Sequence, residues 1–234
     1  MKENTNIWLN GIMGVVVGDA LGCPVQFEYR EEVARHPVTG MRGYGTFHLP
    51  EGSWTDDSSL TIALLESIRR VGKIDAIHAV GGLTHAHIRS NIACGLYFFM
   101  VKWILNGEGS LRDRLQKGLA QGFAFYESCL ADKENLHYYD RLRDLTAFRS
   151  LPADKIRSTG YVADTLEAAV WALITTDSFD RALLKAVNLG DDTDTVGAIA
   201  GGLAGLYYGY DSIPDDWVSA IKRREWIEEM CEFR

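Results

Sequence analysis

Two short stretches of this 234-residue chain combine carboxylates with hydroxyls at the start of an apolar segment. The first is Thr55-Asp56-Asp57, and the second covers residues 191–195, where three carboxylates and two hydroxyls lie within five positions. Asp and Thr are favoured as helix N-caps, and negative charge is favoured at a helix N-terminus. Both stretches are therefore predicted to form the N-terminal ends of buried helices.

The two acidic stretches would bring at least four carboxylates together if their helices pack side by side. Like charges at close range repel, so the carboxylates must be partly protonated or must bind a cation. Neither stretch contains a Lys or an Arg. Oxygen ligands without Cys or His favour Mg²⁺, Mn²⁺ or Ca²⁺ over zinc, and a pair of such ions would polarise substrate oxygens and activate a water.

Helix capping and an EF-hand are the alternatives to such a pair of ions. Helix capping alone accounts for either stretch taken singly, and this structural alternative stays open. An EF-hand is excluded by spacing, because the twelfth loop position must be a Glu. Counted from Asp192 that position is Leu203, and counted from Asp56 it is Ser67.

The segment after the second acidic stretch is uncharged, and its glycines Gly197, Gly201 and Gly205 share one helical face. Each Gly inside a helix costs about 1 kcal/mol relative to Ala. The repeated glycines therefore predict that another backbone approaches this face closely. The apolar run is shorter than the roughly 20 residues that span a bilayer, so a core helix is predicted.

Helical apolar periodicity recurs along the chain, and no period-2 strand pattern is present. We predict an all-α fold, a single-domain orthogonal bundle of roughly ten helices over residues 1–234. An irregular loop or lid is predicted for residues 40–54, and a loop with one short helix for 132–159. Helices are predicted for residues 6–22, 52–70, 74–88, 89–106, 111–131 and 160–176. Two further helices are predicted, one that ends at Asn188 and one that follows residue 195. From Pro214 onward we predict one C-terminal helix with Trp217, Ile221 and Trp226.

Composition limits the classes of function. The net charge of −8 argues against general nucleic-acid binding, which needs a basic surface. The N-terminal residues lack an apolar signal core, and we expect no membrane-spanning segment. The cysteines are scattered without a CxxC pair, which is typical of reduced thiols. We expect a cytoplasmic monomer that binds neither nucleic acid nor membranes.

Five motifs occur along the chain in the order GDALG (18–22), GSWTDDS (52–58), LTH (83–85), GYVADTLEAAVWAL (160–173) and NLGDDTDTVGAIAGGLAGLYYG (188–209). Together, and in this order, they resemble the ADP-ribosylglycohydrolase family. The resemblance implies an all-α fold with a centre of two divalent metal ions, Mg²⁺ or Mn²⁺. By motif position, the implied ligands are Thr55, Asp56, Asp57, Asp192, Asp194 and Thr195.

The resemblance also implies a reaction. The family hydrolyses the bond between C1″ of ADP-ribose and an acceptor atom, which is a nitrogen in arginine or an oxygen in serine. An activated water would attack as an oxocarbenium-like centre develops. Asp56 and Asp57 are the carboxylates predicted to lie nearest the chemistry, and an ADP-ribosylated protein or a small ADP-ribosyl compound is the expected substrate.

The chain departs from the family pattern in two places. Many members carry a Glu eight residues after the first Gly of GDALG, where this chain has Gln26, so Glu28 becomes the candidate substitute. A GNGxxMR-like loop, which helps to bind the diphosphate side of ADP-ribose in the family, is missing between Arg70 and His85. These departures leave a second function open, a metal-containing ADP-ribose or nucleotide-binding module with little or no turnover.

Three further residues are candidates for substrate binding. His85 is predicted to line the site or to be structural, without joint ligation by His87, because residues i and i+2 of a helix do not face each other. Tyr161 would stack on adenine or pack in the core, and Trp54 would wall the pocket or pack. The buried Asp19 needs a hydrogen-bonding partner, and a structural role is predicted for it.

Overall fold

A computed structural model of the chain describes residues 6–71, 85–130 and 133–232. These ranges contain no β-strand, which confirms the predicted all-α class. Short 3₁₀ helices cover Cys23–Val25, Glu134–Arg143, Ala153–Lys155 and Tyr210–Ser212. The α-helices of the described ranges are α1 (Ile7–Gly22), α2 (Arg30–Arg35), α3 (Asp56–Val71), α4 (Ile88–Asn106), α5 (Leu111–Cys129), α6 (Leu145–Arg149), α7 (Val162–Ile174), α8 (Phe179–Val187), α9 (Thr193–Tyr208), α10 (Asp215–Ala220) and α11 (Arg224–Met230).

The prediction of one C-terminal helix is wrong, because the chain forms α10 and α11 with a break between them. At the break, Arg223 adopts a left-handed backbone with φ 59°. The preceding amide, of Lys222, donates to the carbonyl of Gly52 at 2.9 Å. A contact with the loop before α3 therefore fixes the break. The helix predicted for residues 74–88 falls almost entirely outside the described residues.

Helices α1 and α9 cross in antiparallel directions with their backbones almost in contact. A Cβ added at Gly18 would lie 2.0 Å from the carbonyl oxygen of Gly197, and one added at Gly14 would lie 2.1 Å from that of Gly201. The predicted close approach of a backbone to the glycine face is confirmed. The crossing places the C-terminal end of α1 beside the N-terminal end of α9.

The buried apolar side chains form one cluster around this helix pair. Helix α7 is buried along nearly its whole length and packs against α9. Two segments, Ile7–Val25 and Ile88–Asn106, are long and apolar enough to cross a membrane by length and composition alone. About two thirds of the first (67%) is buried inside the fold, so its place in the core explains its apolar character.

Candidate metal centre and active site

The N-terminal ends of α3 and α9 meet beside the end of α1, where Thr55 and Thr195 each contact an aspartate of the other stretch. The hydroxyl of Thr55 lies 3.4 Å from Oδ2 of Asp194. The hydroxyl of Thr195 lies 3.4 Å from Oδ2 of Asp57 and 3.1 Å from Oδ1 of Asp192. Five of the six predicted ligands are therefore brought together. We call Thr55, Asp57, Asp192, Asp194 and Thr195 the acidic cluster.

The electrostatics of the acidic cluster are unfavourable without a cation. Asp194 and Asp192 are buried, and Asp57 is half-buried. Burial, together with the charges of neighbouring aspartates, raises the pKa of Asp57 to about 7. Burial and the charges of Asp57 and Asp192 also raise the pKa of Asp194. Among the side chains that the structure describes, no Lys or Arg forms an ion pair with these carboxylates.

Asp19, near the end of α1, anchors the first turn of α3. Its carboxylate accepts hydrogen bonds from the backbone amides of Thr55 and Ser58 and from both of their hydroxyls, at 2.5 to 3.1 Å. One oxygen of Asp19 lies within 4.8 Å of oxygens of Asp57 and Asp194. Because both Asp19 oxygens already accept hydrogen bonds, Asp19 positions the Thr-Asp-Asp turn, the structural role predicted for it.

Residues 191–195 divide between backbone support and the acidic cluster. The hydroxyl of Thr193 donates to the carbonyl of Gly22 at 2.8 Å, which ties the start of α9 to the end of α1. Asp191 has a left-handed backbone with φ 62°, and its amide donates to the carbonyl of Glu28. The side chains at positions 192, 194 and 195 remain for the acidic cluster.

Gln26, rather than Glu28, faces the acidic cluster. The amide nitrogen Nε2 of Gln26 lies 3.4 Å from Oδ1 of Asp192. The next residue, Phe27, has φ 67° and donates its backbone amide to the carbonyl of Asp191 at 2.6 Å. Glu28 contributes its carbonyl to this backbone pairing, and no described contact joins its carboxylate to the acidic cluster.

A second loop closes the other side of the acidic cluster. The amide of Asp192 donates to the carbonyl of Ser158 at 3.0 Å, and a Cβ at Gly160 would lie 3.2 Å from Oδ2 of Asp192. The guanidinium of Arg30 holds this loop by donating to the carbonyls of Ala153, Ile156 and Leu189. The carboxylate of Asp192 is thereby fixed between two loops and α9.

The other predicted site residues lie at different distances from the acidic cluster. Asp56 is exposed at its rim, and its charge contributes to the raised pKa of Asp57. Tyr161 directly follows Gly160 and accepts a hydrogen bond from Arg89 at 3.1 Å. The Trp54 indole donates to the carbonyl of Lys222 and lines a pocket with Trp226 and Met230 of α11, and no described contact joins it to the acidic cluster. His85 is exposed, and no described contact joins it to the acidic cluster.

Sequence reasoning missed three residues that the structure places at or near this site. Ser58, whose hydroxyl lies in the first turn of α3, is the last residue of the GSWTDDS motif, but no role was predicted for it. Arg89 lies in the first turn of α4, where a cation opposes the helix dipole, and this unusual position was the available signal. Tyr138, which stacks on Arg89, lies in a polar segment that carries no motif.

The donor set suits hard divalent cations. Three carboxylates and two hydroxyls supply only oxygen, which Mg²⁺ and Mn²⁺ prefer, and the acidic cluster contains no thiolate or imidazole. The raised pKa values of Asp57 and Asp194 are an independent indication of a bound cation, because without one these carboxyl groups would hold protons near neutral pH. The residues present therefore fit the metal centre that the family resemblance implies.

Metal-free protein is expected to become less stable as the pH rises from about 4 to about 8. The folded state holds the proton of Asp57 more tightly than the unfolded chain does, since its pKa is about 7 rather than 3.8. Ionisation therefore costs folding free energy, on the order of a few kcal/mol, across the interval between those two values. The shift of Asp194 acts in the same direction.

Bound Mg²⁺ or Mn²⁺ would remove this repulsion, so either ion should raise the melting temperature more at pH 8 than at pH 5. Thermal melts with chelator and with metal at both pH values measure the difference. The matched control is Asp57→Asn, which should show a shallower pH dependence without metal. Equal metal shifts at both pH values would contradict the assignment of a charged cluster.

Comparisons with known proteins agree with the motifs. The sequence model of a family described as ADP-ribosylglycohydrolase matches two segments, residues 8–80 and 73–233. An ADP-ribosylarginine hydrolase, Tri1, of Serratia proteamaculans is 29% identical over 283 aligned positions, which cover 94% of this chain and 76% of that protein. The alignment is longer than this chain, so part of the relative has no counterpart here.

Two further proteins extend the similarity. An ADP-ribosyl-[dinitrogen reductase] glycohydrolase of Rhodospirillum rubrum is 26% identical, with 91% of this chain and 89% of that protein covered. A solved structure titled "ADP-ribosylglycohydrolase-related protein complex" aligns with a TM-score of 0.65 and 26% identity, over 99% of this chain and 97% of the other. The matched segments cover nearly the whole chain, and the chain therefore belongs to the ADP-ribosylglycohydrolase family.

Proposed function

We propose that this protein is a metal-dependent hydrolase that cleaves the bond between ADP-ribose and an acceptor, with an arginine nitrogen as the favoured acceptor. The observation that carries the proposal is the convergence of Asp57, Asp192 and Asp194 without a cationic side chain among the described residues. The names of the two relatives, an ADP-ribosylarginine hydrolase and an ADP-ribosyl-[dinitrogen reductase] glycohydrolase, support the substrate class.

Two divalent ions held by the acidic cluster, with Asp56 at its rim, would neutralise these carboxylates, bind ribose hydroxyls and lower the pKa of a water. The residues of the chain have separate tasks. Thr55 and Thr195 fix the carboxylates of the opposite helix, and Asp19 holds the turn that carries Asp56 and Asp57.

Asp56 and Asp57 are the proposed catalytic carboxylates. Asp56 is exposed beside the acidic cluster and would accept a proton from the attacking water. The water oxygen then forms the new bond to C1″ while the bond from C1″ to the acceptor nitrogen breaks, and the proton passes to that nitrogen. Glu28 stays a prediction from sequence, since no described contact brings its carboxylate to the acidic cluster.

Gln26 favours a second candidate function, a metal-containing ADP-ribose-binding module without turnover. Its amide lies beside Asp192, at the position where the family resemblance implies a Glu, and a neutral amide cannot act as a base. Calorimetry with ADP-ribose, combined with an assay of ADP-ribose release by the metal-loaded protein, separates the two functions. Binding of ADP-ribose without release from a modified arginine substrate would support the module, and release would support the hydrolase.

Replacement of Gln26 by Glu is expected to tighten Mn²⁺ binding roughly tenfold, because a further carboxylate would then face the acidic cluster. Titration calorimetry with Mn²⁺ measures this affinity. Gln26→Ala is the matched control, since it removes the amide without adding charge, and its Mn²⁺ affinity should stay within about threefold of that of the native protein. Weaker Mn²⁺ binding by Gln26→Glu would show that position 26 does not face the ions.

A further inference from the structure

We propose that Arg89 binds the diphosphate of the ADP-ribosyl substrate. This inference rests on the proposed function, because it assigns one side chain to the binding of that substrate. Arg89 is half-buried at the second residue of α4. Its Cζ lies 3.6 Å from the centre of the Tyr138 ring. Its Nη1 donates to the hydroxyl of Tyr161 at 3.1 Å, and its Nε donates to Oδ1 of Asn135 at 2.9 Å.

Every described partner of the Arg89 guanidinium is neutral. Nη2 donates to no residue in the described part of the chain, and no carboxylate there pairs with Arg89. Other arginines of the same region do have such partners. Arg141 pairs with Glu167 at 2.9 Å, and Arg143 pairs with Glu127 at 2.8 Å. In a chain with a net charge of −8, Arg89 thus differs from these neighbours, because none of its partners among the described residues is anionic.

The position of Arg89 is unfavourable for an isolated cation. The first turn of a helix carries partial positive charge, so the helix repels a guanidinium there. An anion at this place is attracted both to the helix N-terminus and to the guanidinium. Partial burial adds a desolvation cost that an ionic partner would offset. The stack on Tyr138 and the hydrogen bond to Tyr161 hold the guanidinium plane in one orientation. A planar guanidinium held in this way suits bidentate binding of phosphate oxygens.

The location fits the substrate geometry. Arg89 contacts Tyr161, and Tyr161 follows Gly160, which lies against the carboxylate of Asp192. The guanidinium is therefore one side chain away from the loop that borders the acidic cluster. When the distal ribose lies at the acidic cluster, the diphosphate is the next charged part of the substrate. The carboxylates would hold cations, and Arg89 would hold the anionic group beyond them.

Because this chain has no GNGxxMR-like loop, another element must bind the diphosphate. A GNGxxMR-like sequence does not occur between Arg70 and His85. A diphosphate bound here needs positive charge from another element, and Arg89 on α4 supplies it. Tyr138, which is 44% exposed, shields one face of the guanidinium and leaves its edge to the ligand.

The test is titration calorimetry of the full, Mn²⁺-loaded protein with ADP-ribose, ADP and adenosine. Arg89→Gln should weaken ADP-ribose and ADP binding about 10- to 100-fold, the range expected for loss of charge-assisted hydrogen bonds, and should leave adenosine binding unchanged. Arg89→Lys should lose less affinity than Arg89→Gln. The matched control is Arg181→Gln on α8, an exposed arginine paired with Asp177, and it should bind all three ligands as the native protein does.

Affinities within twofold of native for ADP-ribose and ADP in Arg89→Gln would overturn the proposal. Mn²⁺ affinity and melting temperature are measured in parallel, and if Arg89→Gln fails to fold, Tyr138→Leu replaces it. That variant removes the stacking surface from an exposed position and should weaken ADP binding about 3- to 10-fold. Unchanged ADP binding by Tyr138→Leu would likewise overturn the proposal.

The outcomes also separate this inference from the proposed function. If native protein releases ADP-ribose and Arg89→Gln does so with unchanged kcat/KM, the hydrolase stands and the role of Arg89 falls. If ADP binds in an Arg89-dependent manner but no ADP-ribosylated substrate is cleaved, the anion site stands and the hydrolase falls.

Discussion

Asp194→Asn is expected to lower metal-dependent hydrolysis by roughly 10³-fold or more, because several kcal/mol of transition-state stabilisation would depend on the cations that this carboxylate is proposed to hold. Asp194 is fully buried between the hydroxyl of Thr55 and the turn of α9. An amide there offers one neutral oxygen in place of a charged ligand. The measurements are kcat/KM with ADP-ribosylated arginine and Mn²⁺ affinity by calorimetry, and both should fall.

Loss of activity in Asp194→Asn must be distinguished from misfolding. Burial and neighbouring carboxylates raise the pKa of Asp194, so removal of its charge should leave the metal-free protein as stable as native or more stable at pH 8. The matched control is Asp191→Asn in the same stretch. Asn tolerates the left-handed φ of 62° at that position, and the Asp191 side chain lies outside the acidic cluster, so activity should stay within about threefold of native. Retention of tight Mn²⁺ binding by Asp194→Asn would contradict the metal assignment.

Gly18→Ala is expected to destabilise the fold by about 3 kcal/mol or more, because the added Cβ would lie 2.0 Å from the carbonyl oxygen of Gly197. The neighbour is backbone of another helix and cannot move aside locally. Helix α1 also carries Asp19, so separation of α1 from α9 would displace both halves of the acidic cluster. Chemical denaturation measures the loss in the free energy of unfolding, and Mn²⁺ binding should weaken with it.

Gly11→Ala on the same helix is the control for that substitution. The atoms nearest to its Cβ would all belong to the flexible Leu206 side chain, the closest at 3.1 Å. Ala is favoured over Gly inside a helix by about 1 kcal/mol, so this change should be neutral or stabilising. If both glycine variants were equally stable, the close packing of α1 and α9 would not be the feature that positions the acidic cluster.

The helix pair and the acidic cluster were predictable because their signals are local. The four-residue spacing of Gly197, Gly201 and Gly205 indicates that the backbone of another helix lies close, although it does not identify that helix. Runs of Asp and Thr without a Lys or an Arg indicate that another positive charge must compensate the carboxylates. Periodicity and charge of this kind depend only on residues within one or two helical turns.

The features that sequence reasoning missed depend on contacts between distant segments. The C-terminal helix breaks where Lys222 meets the carbonyl of Gly52, a pairing that no local pattern encodes. Glu28 was the expected replacement for the missing family Glu, yet left-handed backbone at Phe27 and Asp191 leaves Gln26 beside Asp192. The role proposed for Arg89 depends on its contact with Tyr161, which forms only when α4 packs beside the loop that carries Tyr161.

The most direct test of the proposed function is release of ADP-ribose from a protein modified on arginine. Purified protein loaded with Mn²⁺ or Mg²⁺ should release free ADP-ribose and restore the unmodified arginine. Chelation should stop the release, and Asp194→Asn should not support it. Absence of release by metal-loaded protein from both arginine- and serine-linked substrates would contradict the assignment of this chain as an ADP-ribosyl hydrolase.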